Sequence, residues 1–307
     1  MAFGRRNKIL MTAGTLALVG LLPLTGCTSN SSPDAPAAED GGQATWIEAD
    51  SALSGLLVDA GYTKPLIIAT DVTIGYPWAA VHETTGVPDG LDMDLSYALG
   101  QVLGAEVTIE NTSFDSLIPG LAADRYDFSV SVMIDSKVRQ QQVDFVDFVM
   151  DASGFIVPIE SDLDNLTLDD ACGRTLGVVR SSVEEMYLTE RSASCVTEGL
   201  SPVDLQVFQQ LGEGVLAVTA GRIEALCGDK LQNAYLEALP NAKVKQSGGS
   251  IGEAPVGMAI GKGSALVPIL QKALQALIDD GAYLKILDKW GVADAALESA
   301  TVNGGIS

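Results

Sequence analysis

From Lys64 almost to the end of the chain, short apolar runs alternate with stretches in which apolar residues recur at helical spacing. Leu66-Ile67-Ile68-Ala69 has the form of a buried strand. Residues 91–103 carry a helical pattern and run into Gly104, a suitable helix cap. The pattern predicts a strand over 106–109, a helix over 114–123 with Leu117, Ile118 and Leu121 on one face, and a strand over 127–134. After a polar break the alternation resumes. Strands are predicted at 175–179, 205–208 and 223–227, with helices at 182–191 and 214–220 between them. A further strand at 256–260 and helices at 266–279 and 283–290 close the body. Strands alternating with helices imply an α/β architecture, in which a parallel sheet is covered by helices on both faces. The alternation occurs in two sets, before about residue 151 and after about 168, so two lobes are expected, with a ligand at the strand ends between them.

The first residues follow a different pattern. Arg5, Arg6 and Lys8 form a basic start, and residues 9–25 are uncharged and mostly apolar. That run is short for a membrane span, which needs about 20 apolar residues, and it ends in Leu24-Thr25-Gly26-Cys27. Small residues let a peptidase reach the backbone, and a following Cys can take a thioether-linked lipid. These features resemble the export signal and lipobox of bacterial lipoproteins. The resemblance implies a signal peptide over 1–26, lipidation of Cys27 with palmitate among its acyl chains, and anchoring to the outer face of the cell membrane. Residues 28–43, rich in Ser, Pro, Ala, Gly and Asp, read as part of a flexible tether over 27–50.

Charge narrows the partners. Forty acidic residues against eighteen basic ones give a net charge of −22 in a chain of 307 residues. Nucleic acid is excluded as a partner, because binding it requires clustered Lys and Arg. Export implies an oxidising compartment, and Cys172 and Cys195, 23 residues apart in polar, turn-rich sequence, are expected to form a disulfide. Cys227 lies in an apolar run and reads as a buried free thiol. No Cys or His cluster has metal-ligand spacing, His82 is the only histidine, and neither metal nor cofactor is implied.

Seven local stretches fall in the order found in one family: Thr70-Asp71 with Tyr76-Pro77-Trp78, Gly90-Leu91-Asp92-Met93-Asp94-Leu95, Phe114-Asp115-Ser116-Leu117-Ile118-Pro119-Gly120-Leu121, Arg139-Gln140 with Val143-Asp144-Phe145, Gly221-Arg222-Ile223-Glu224-Ala225, Gly257-Met258-Ala259-Ile260 and Lys289-Trp290-Gly291. Over 66–292 the chain resembles the extracellular solute-binding proteins of ABC importers, in the branch for polar amino acids (family 3). The resemblance implies a two-lobed, type II periplasmic-binding-protein-like α/β fold, with two crossover strands near 153–157 and 253–256. Lobe 1 would comprise 51–154 with 255–298, lobe 2 would comprise 155–254, and 299–307 would be a tail. It also implies a monomer that captures an amino acid or analogue and hands it to the importer's membrane subunits.

A free amino acid carries a carboxylate and an ammonium on one carbon, so its binder needs a fixed cation and a fixed anion in a dry cleft. Arg139 matches the family's carboxylate-binding arginine, and its planar fork suits a carboxylate. Asp229, at the end of an apolar run, matches the ammonium-binding aspartate; as a bare residue type it also reads as a helix N-cap. Ser181 and Ser182 lie at a strand-to-helix turn, where free N–H groups attract carboxylates, and Ser182 with Glu185 has capping-box spacing. Tyr76, Trp78 and Phe114 are candidate pocket walls, with core packing the rival reading for Phe114. Asp71 ends the first strand, where it would reach a ligand's polar head or organise a turn. Five and seven residues before the arginine, where the family often has hydroxyl or small residues, this chain has Ile134 and Val132, which leaves backbone groups as the ligand contacts there.

Two rivals share this body. One is a sensor that signals through a membrane partner. The other is an enzyme such as a dehydratase on the same fold, for which the residues give no support. Gly248-Gly249-Ser250-Ile251-Gly252 matches a serine-hydrolase pattern but lacks the strand-turn-helix setting and a nearby histidine.

Overall fold

The computed structural model describes residues 44–305. The basic start, the apolar run, Cys27 and residues 28–43 lie outside the described residues. Among the described residues no helix is long and apolar enough to cross a membrane.

Lobe 1 begins with α1 (Ser51–Asp59), capped by Asp50, whose Oδ1 accepts the N–H groups of Ala52 (2.8 Å) and Leu53 (3.1 Å). There follow β1 (Leu66–Thr70), a short hairpin of β2 (Ala80–Val81) and β3 (Pro88–Asp89), α2 (Leu91–Leu103), β4 (Val107–Asn111), α3 (Leu117–Ala122) and β5 (Phe128–Ile134). Gly104 ends α2 in the left-handed region at φ 62°, as its position in the sequence predicts. The chain then crosses on β6 (Val143–Pro158) into lobe 2, which holds β7 (Thr175–Val179), α4 (Val183–Thr197), β8 (Asp204–Phe208), α5 (Leu211–Thr219), β9 (Ala225–Asp229) and α6 (Lys230–Ala238). It returns on β10 (Val244–Gly261) and finishes on lobe 1 with α7 (Leu266–Asp280), α8 (Ala282–Lys289) and β11 (Ala296–Val302).

All strands except the hairpin join one sheet in the order β4-β1-β5-β10-β6-β9-β7-β8, with β11 also on β6. Each outer trio is parallel, as alternating strands and helices predict. The two long strands run antiparallel to each other and to their neighbours, so the sheet is mixed rather than parallel throughout. They tie the lobes together. β10 pairs with the first half of β6 over Ala254–Gly261 and with its second half over Val244–Ser247, with register breaks between. From Ser153 onward β6 also pairs with β9. An alternation search finds short strands but not a strand of 16 or 18 residues that serves two cores in succession.

Two segments differ from the sequence reading. Part of the expected tether is docked: the N–H of Trp46 donates to Gln101 Oε1 at 2.8 Å, and Gln101 Nε2 donates to the Ala44 carbonyl at 2.7 Å. Part of the expected tail is strand β11, which pairs with β6. Its sequence, Ala-Leu-Glu-Ser-Ala-Thr-Val, is too polar for an apolar-run search to find.

Candidate ligand-binding cleft

A cleft with an empty volume of about 690 Å³ lies between the lobes. The ends of β5, β7 and β9 and the starts of α4 and α6 surround it, because parallel strands leave their carboxyl ends, and the helix starts that follow, facing the same gap.

Arg139 stands on a short 3-10 turn (Arg139–Gln141) after β5. Its Nη1 donates to the Ile134 carbonyl and its Nη2 to the Ser181 carbonyl, both at 2.9 Å, so the guanidinium already spans the two lobes. A guanidinium has five N–H donors, and three remain for a ligand. The Phe114 ring lies beneath it, 5.6 Å from centroid to Cζ. Burial lowers the Arg139 pKa, and the carboxylates of Glu184 and Asp135 oppose that shift.

Across the cleft, Asp229 caps α6, its Oδ1 accepting the Gln232 N–H at 2.6 Å. Both sequence readings of Asp229 thus meet in one residue that caps a helix and lines the cleft. Behind it lies Asp151, whose pKa burial and the neighbouring Asp229 push up strongly. Asp151 Oδ2 is buried and has no hydrogen-bond partner. Burial raises the Asp229 pKa too, opposed by hydrogen bonds with Asp151 and with the Gln232 N–H. Asp92, at the start of α2, is buried with no hydrogen bond to either oxygen, and burial followed by the charge of Asp229 pushes its pKa to about 8.

Ser182 caps α4, its Oγ accepting the Glu185 N–H at 3.2 Å, and Glu185 reaches back to the Ser181 N–H at 2.5 Å. The cap read from the sequence is therefore formed, but the returning bond of Glu185 goes to the N–H before the cap rather than to that of Ser182. Ser181 takes φ 62°, which aims its carbonyl at Arg139. Ile134 and Val132 line the cleft, Val132 at φ 39°, a strained setting for a β-branched residue. Asp71 lines the cleft as well, but its oxygens are engaged in a turn. Oδ1 accepts the Thr73 N–H (2.8 Å) and hydroxyl (2.6 Å), and Oδ2 accepts the Phe114 N–H (2.8 Å). Asp71 thereby holds the backbone of the ring that supports Arg139.

Three candidates do not line the cleft: Ser181, which reaches Arg139 only through its carbonyl, Tyr76 and Trp78. The turn at Gly75, φ 93°, presents Thr73 and Ile74 to it instead. Tyr76 points away and stacks on Trp290, with centroids 5.7 Å apart and planes 15° apart. Trp78 is fully buried in the lobe 1 core. Its indole N–H lies beside Asp229 without a hydrogen bond of normal geometry.

The cleft also contains residues that sequence reasoning passed over. Glu184 lines it from the first turn of α4, and one oxygen accepts the Ser153 hydroxyl at 2.5 Å. In sequence it looks like any acid favoured by a helix dipole. Gln232 donates from Nε2 to the Ile74 carbonyl at 2.6 Å, a second bridge between the lobes. Its place three residues after Asp229, a capping-box spacing, was the available signal. Cys227 lines the cleft as a buried free thiol, its pKa pushed well up by burial and by Glu184. The disulfide Cys172–Cys195 is formed, with Cα atoms 5.7 Å apart.

Comparison with known proteins agrees with this geometry. The arginine-binding protein ArgT of Corynebacterium glutamicum is 28% identical over 235 residues, covering 74% of this chain and 75% of that protein. The lysine/arginine/ornithine-binding periplasmic protein of Escherichia coli is 26% identical over 239 residues, covering 75% and 89%. An ancestral arginine-binding protein solved with arginine superposes with a TM-score of 0.67 at 30% identity, covering 74% of this chain and 98% of that one. The profile of the bacterial extracellular solute-binding proteins, family 3, matches residues 66–293, and the chain belongs to that family.

Proposed function

We propose that this protein binds an L-amino acid with a cationic side chain, of the arginine class, and delivers it to an ABC importer. One observation carries the reading: the cleft is lined by a single guanidinium, Arg139, and three carboxylates, Asp71, Glu184 and Asp229. The ligand carboxylate pairs with Arg139 and the N-terminal turn of α4. Asp229 takes the ammonium. Glu184 is left for a cationic side chain, which a neutral or acidic one would not satisfy. The names of the relatives above support the same ligand class. Arg139 belongs to lobe 1, and Ser182, Glu184 and Asp229 to lobe 2, so a ligand touching all four favours the closed arrangement that an importer would recognise. The export signal and Cys27 support tethering to the outer face of the membrane through a lipid.

The test is calorimetric titration of the mature protein, stripped by unfolding and refolding, with L-arginine, L-lysine, L-ornithine, L-glutamine and L-glutamate. Cationic amino acids should bind, and Arg139→Ala should weaken them at least about a hundredfold, because it removes one partner of a desolvated pair. Preferential binding of L-glutamate, or undiminished binding by Arg139→Ala, would overturn the assignment.

A further inference from the structure

The loop that carries Arg139 is closed by a part of the chain outside the family match. Asp135 follows β5, is fully buried, and its N–H donates to the Pro255 carbonyl at 2.8 Å. Gln140 follows Arg139, and its Nε2 donates to Asp135 Oδ1 at 2.7 Å, so the six-residue loop from Asp135 to Gln140 is pinned at both ends. The other carboxylate oxygen, Asp135 Oδ2, accepts the N–H of Gly305 at 2.8 Å, and the Gly305 carbonyl accepts from Gln140 Nε2 at 3.4 Å. Asp135, Gln140 and Gly305 thus form a ring of three hydrogen bonds at the base of the Arg139 loop.

Neighbouring contacts hold Gly305 there. Beyond β11, Asn303 adopts φ 55° and exchanges bonds with Phe145: its N–H donates to the Phe145 carbonyl at 3.1 Å, and its Oδ1 accepts the Phe145 N–H at 2.9 Å. Its Nδ2 donates to Asp144 at 2.9 Å. The Gly304 N–H donates to Asp147 Oδ2 at 3.0 Å, where the Thr301 hydroxyl also donates at 2.8 Å. Neither glycine leaves room for a side chain. A Cβ on Gly304 would lie 2.6 Å from Asp147 Oδ2, and one on Gly305 would collide with the Asp135 backbone carbonyl. The family match ends at residue 293, so each of these contacts joins the matched region to residues outside it.

We propose that residues 301–305 are a strap that positions the ligand-binding guanidinium, acting through Asp135 and Gln140 on the Arg139 loop. The strap touches no ligand. It fixes the loop from behind, so that the Arg139 fork meets the Ile134 and Ser181 carbonyls and presents its remaining donors to the cleft. The inference rests on the assignment of Arg139 as the carboxylate-binding residue.

Two variants test it: a chain terminated after Val302, which keeps β11, and Gly305→Ala, which keeps the full length. Amide hydrogen exchange is measured first, without ligand. In both variants exchange over 135–142 should rise about tenfold, the effect of losing one or two net hydrogen bonds, with β4 and lobe 2 unchanged. Unchanged exchange over 135–142, or an equal rise throughout lobe 1, would overturn the strap. Should the shortened chain not fold, Gly305→Ala decides alone. L-arginine affinity is then measured for the strap variants with Arg139 intact and with Arg139→Ala. About a tenfold loss is expected with Arg139 present and no further loss without it, whereas general destabilisation would weaken both backgrounds alike and refute a positioning role. If Arg139→Ala itself binds L-arginine as the wild type does, the assignment of Arg139 falls, while the exchange result still decides whether the strap orders the loop.

Discussion

The two lobes follow one plan and solve it unequally. Each has three parallel strands, β4-β1-β5 in lobe 1 and β8-β7-β9 in lobe 2, flanking the shared pair β10-β6. Lobe 1 gathers Trp78, Phe128, Phe148 and the buried faces of α1, α2, α7 and α8 into one large cluster, with a smaller one around Leu121, Tyr126 and Phe145 on the other face of the sheet. Lobe 2 splits its core into two smaller clusters, one on either face of the sheet, with Phe155 the only fully buried aromatic among them. The charges left free for a ligand divide along the same line, because the lobe 1 carboxylate in the cleft, Asp71, is engaged in its own turn. Lobe 1 supplies the cation from a loop, and lobe 2 supplies Glu184 and Asp229 from the starts of helices, where caps fix them. The small lobe therefore positions its ligand groups through regular structure and needs a covalent brace, whereas the large lobe holds its one loop-borne group with contacts from elsewhere in the chain.

The largest effect that would break this comparison lies in the brace. Cys172–Cys195 closes a 23-residue separation and ties the turn at Asp169–Ala171 to the second half of α4. Replacing both with Ala should destabilise lobe 2 by about 3 kcal/mol on the chain-entropy account. Urea unfolding followed by hydrogen exchange in each lobe reads the result. Loss confined to lobe 2 sharpens the contrast between the lobes; equal loss in lobe 1 means that β6 and β10 make them a single cooperative unit.

A smaller effect belongs to lobe 1. Asp92 is fully buried, neither oxygen has a hydrogen bond, and its pKa rises from 3.8 to about 8. A carboxyl whose folded pKa exceeds its unfolded value binds more protons when folded, so it costs stability as pH rises from about 4 through about 8. Asp92→Asn should flatten that slope and stabilise the unliganded protein by about 1–3 kcal/mol at pH 8, less than full linkage because the amide is also buried. Melting curves at pH 5 and pH 8 check it. An unaltered pH slope in Asp92→Asn would mean that another group, with Asp151 the first candidate, carries the cost.

How much of this was legible in the sequence follows from the range of each signal. Local signals read well. The strand Thr175–Val179, the cap at Gly104, the Ser182 cap of α4 and the cysteine pair all depend on a few neighbouring residues, and all appear in the structure. The quoted motifs carried Asp71, Phe114 and Arg139, and positions matched one by one to the family carried Asp229, Ser182, Val132 and Ile134; all seven line one cleft. Signals set by distant partners did not read. Tyr76 and Trp78 are aromatic residues beside a cleft strand, but whether each faces the cleft depends on the turn at Gly75 and on Trp290, far along the chain. The polar residues of β11 and the glycines after it acquire meaning only beside Asp135, Asp144 and Asp147.

The smallest effect tests whether the lobes hold each other across the cleft through more than Arg139. Gln232 is buried, its N–H helps fix Asp229, and its side-chain amide crosses to the Ile74 carbonyl. Gln232→Ala keeps the backbone cap and removes only the crossing donor. A net hydrogen bond contributes about 1 kcal/mol, so the variant should shift the closed population, and with it the affinity for L-arginine, by about fivefold. Small-angle scattering of the unliganded protein should show a larger radius of gyration, and calorimetry a weaker but still measurable affinity. The variant bears on the lobe comparison because Gln232 is the lobe 2 counterpart of Arg139: each sends a side-chain donor to a backbone carbonyl on the opposite lobe. If Gln232→Ala leaves both the scattering and the affinity as in the wild type, closure depends on the Arg139 side alone, and the lobes are unequal in this respect as well.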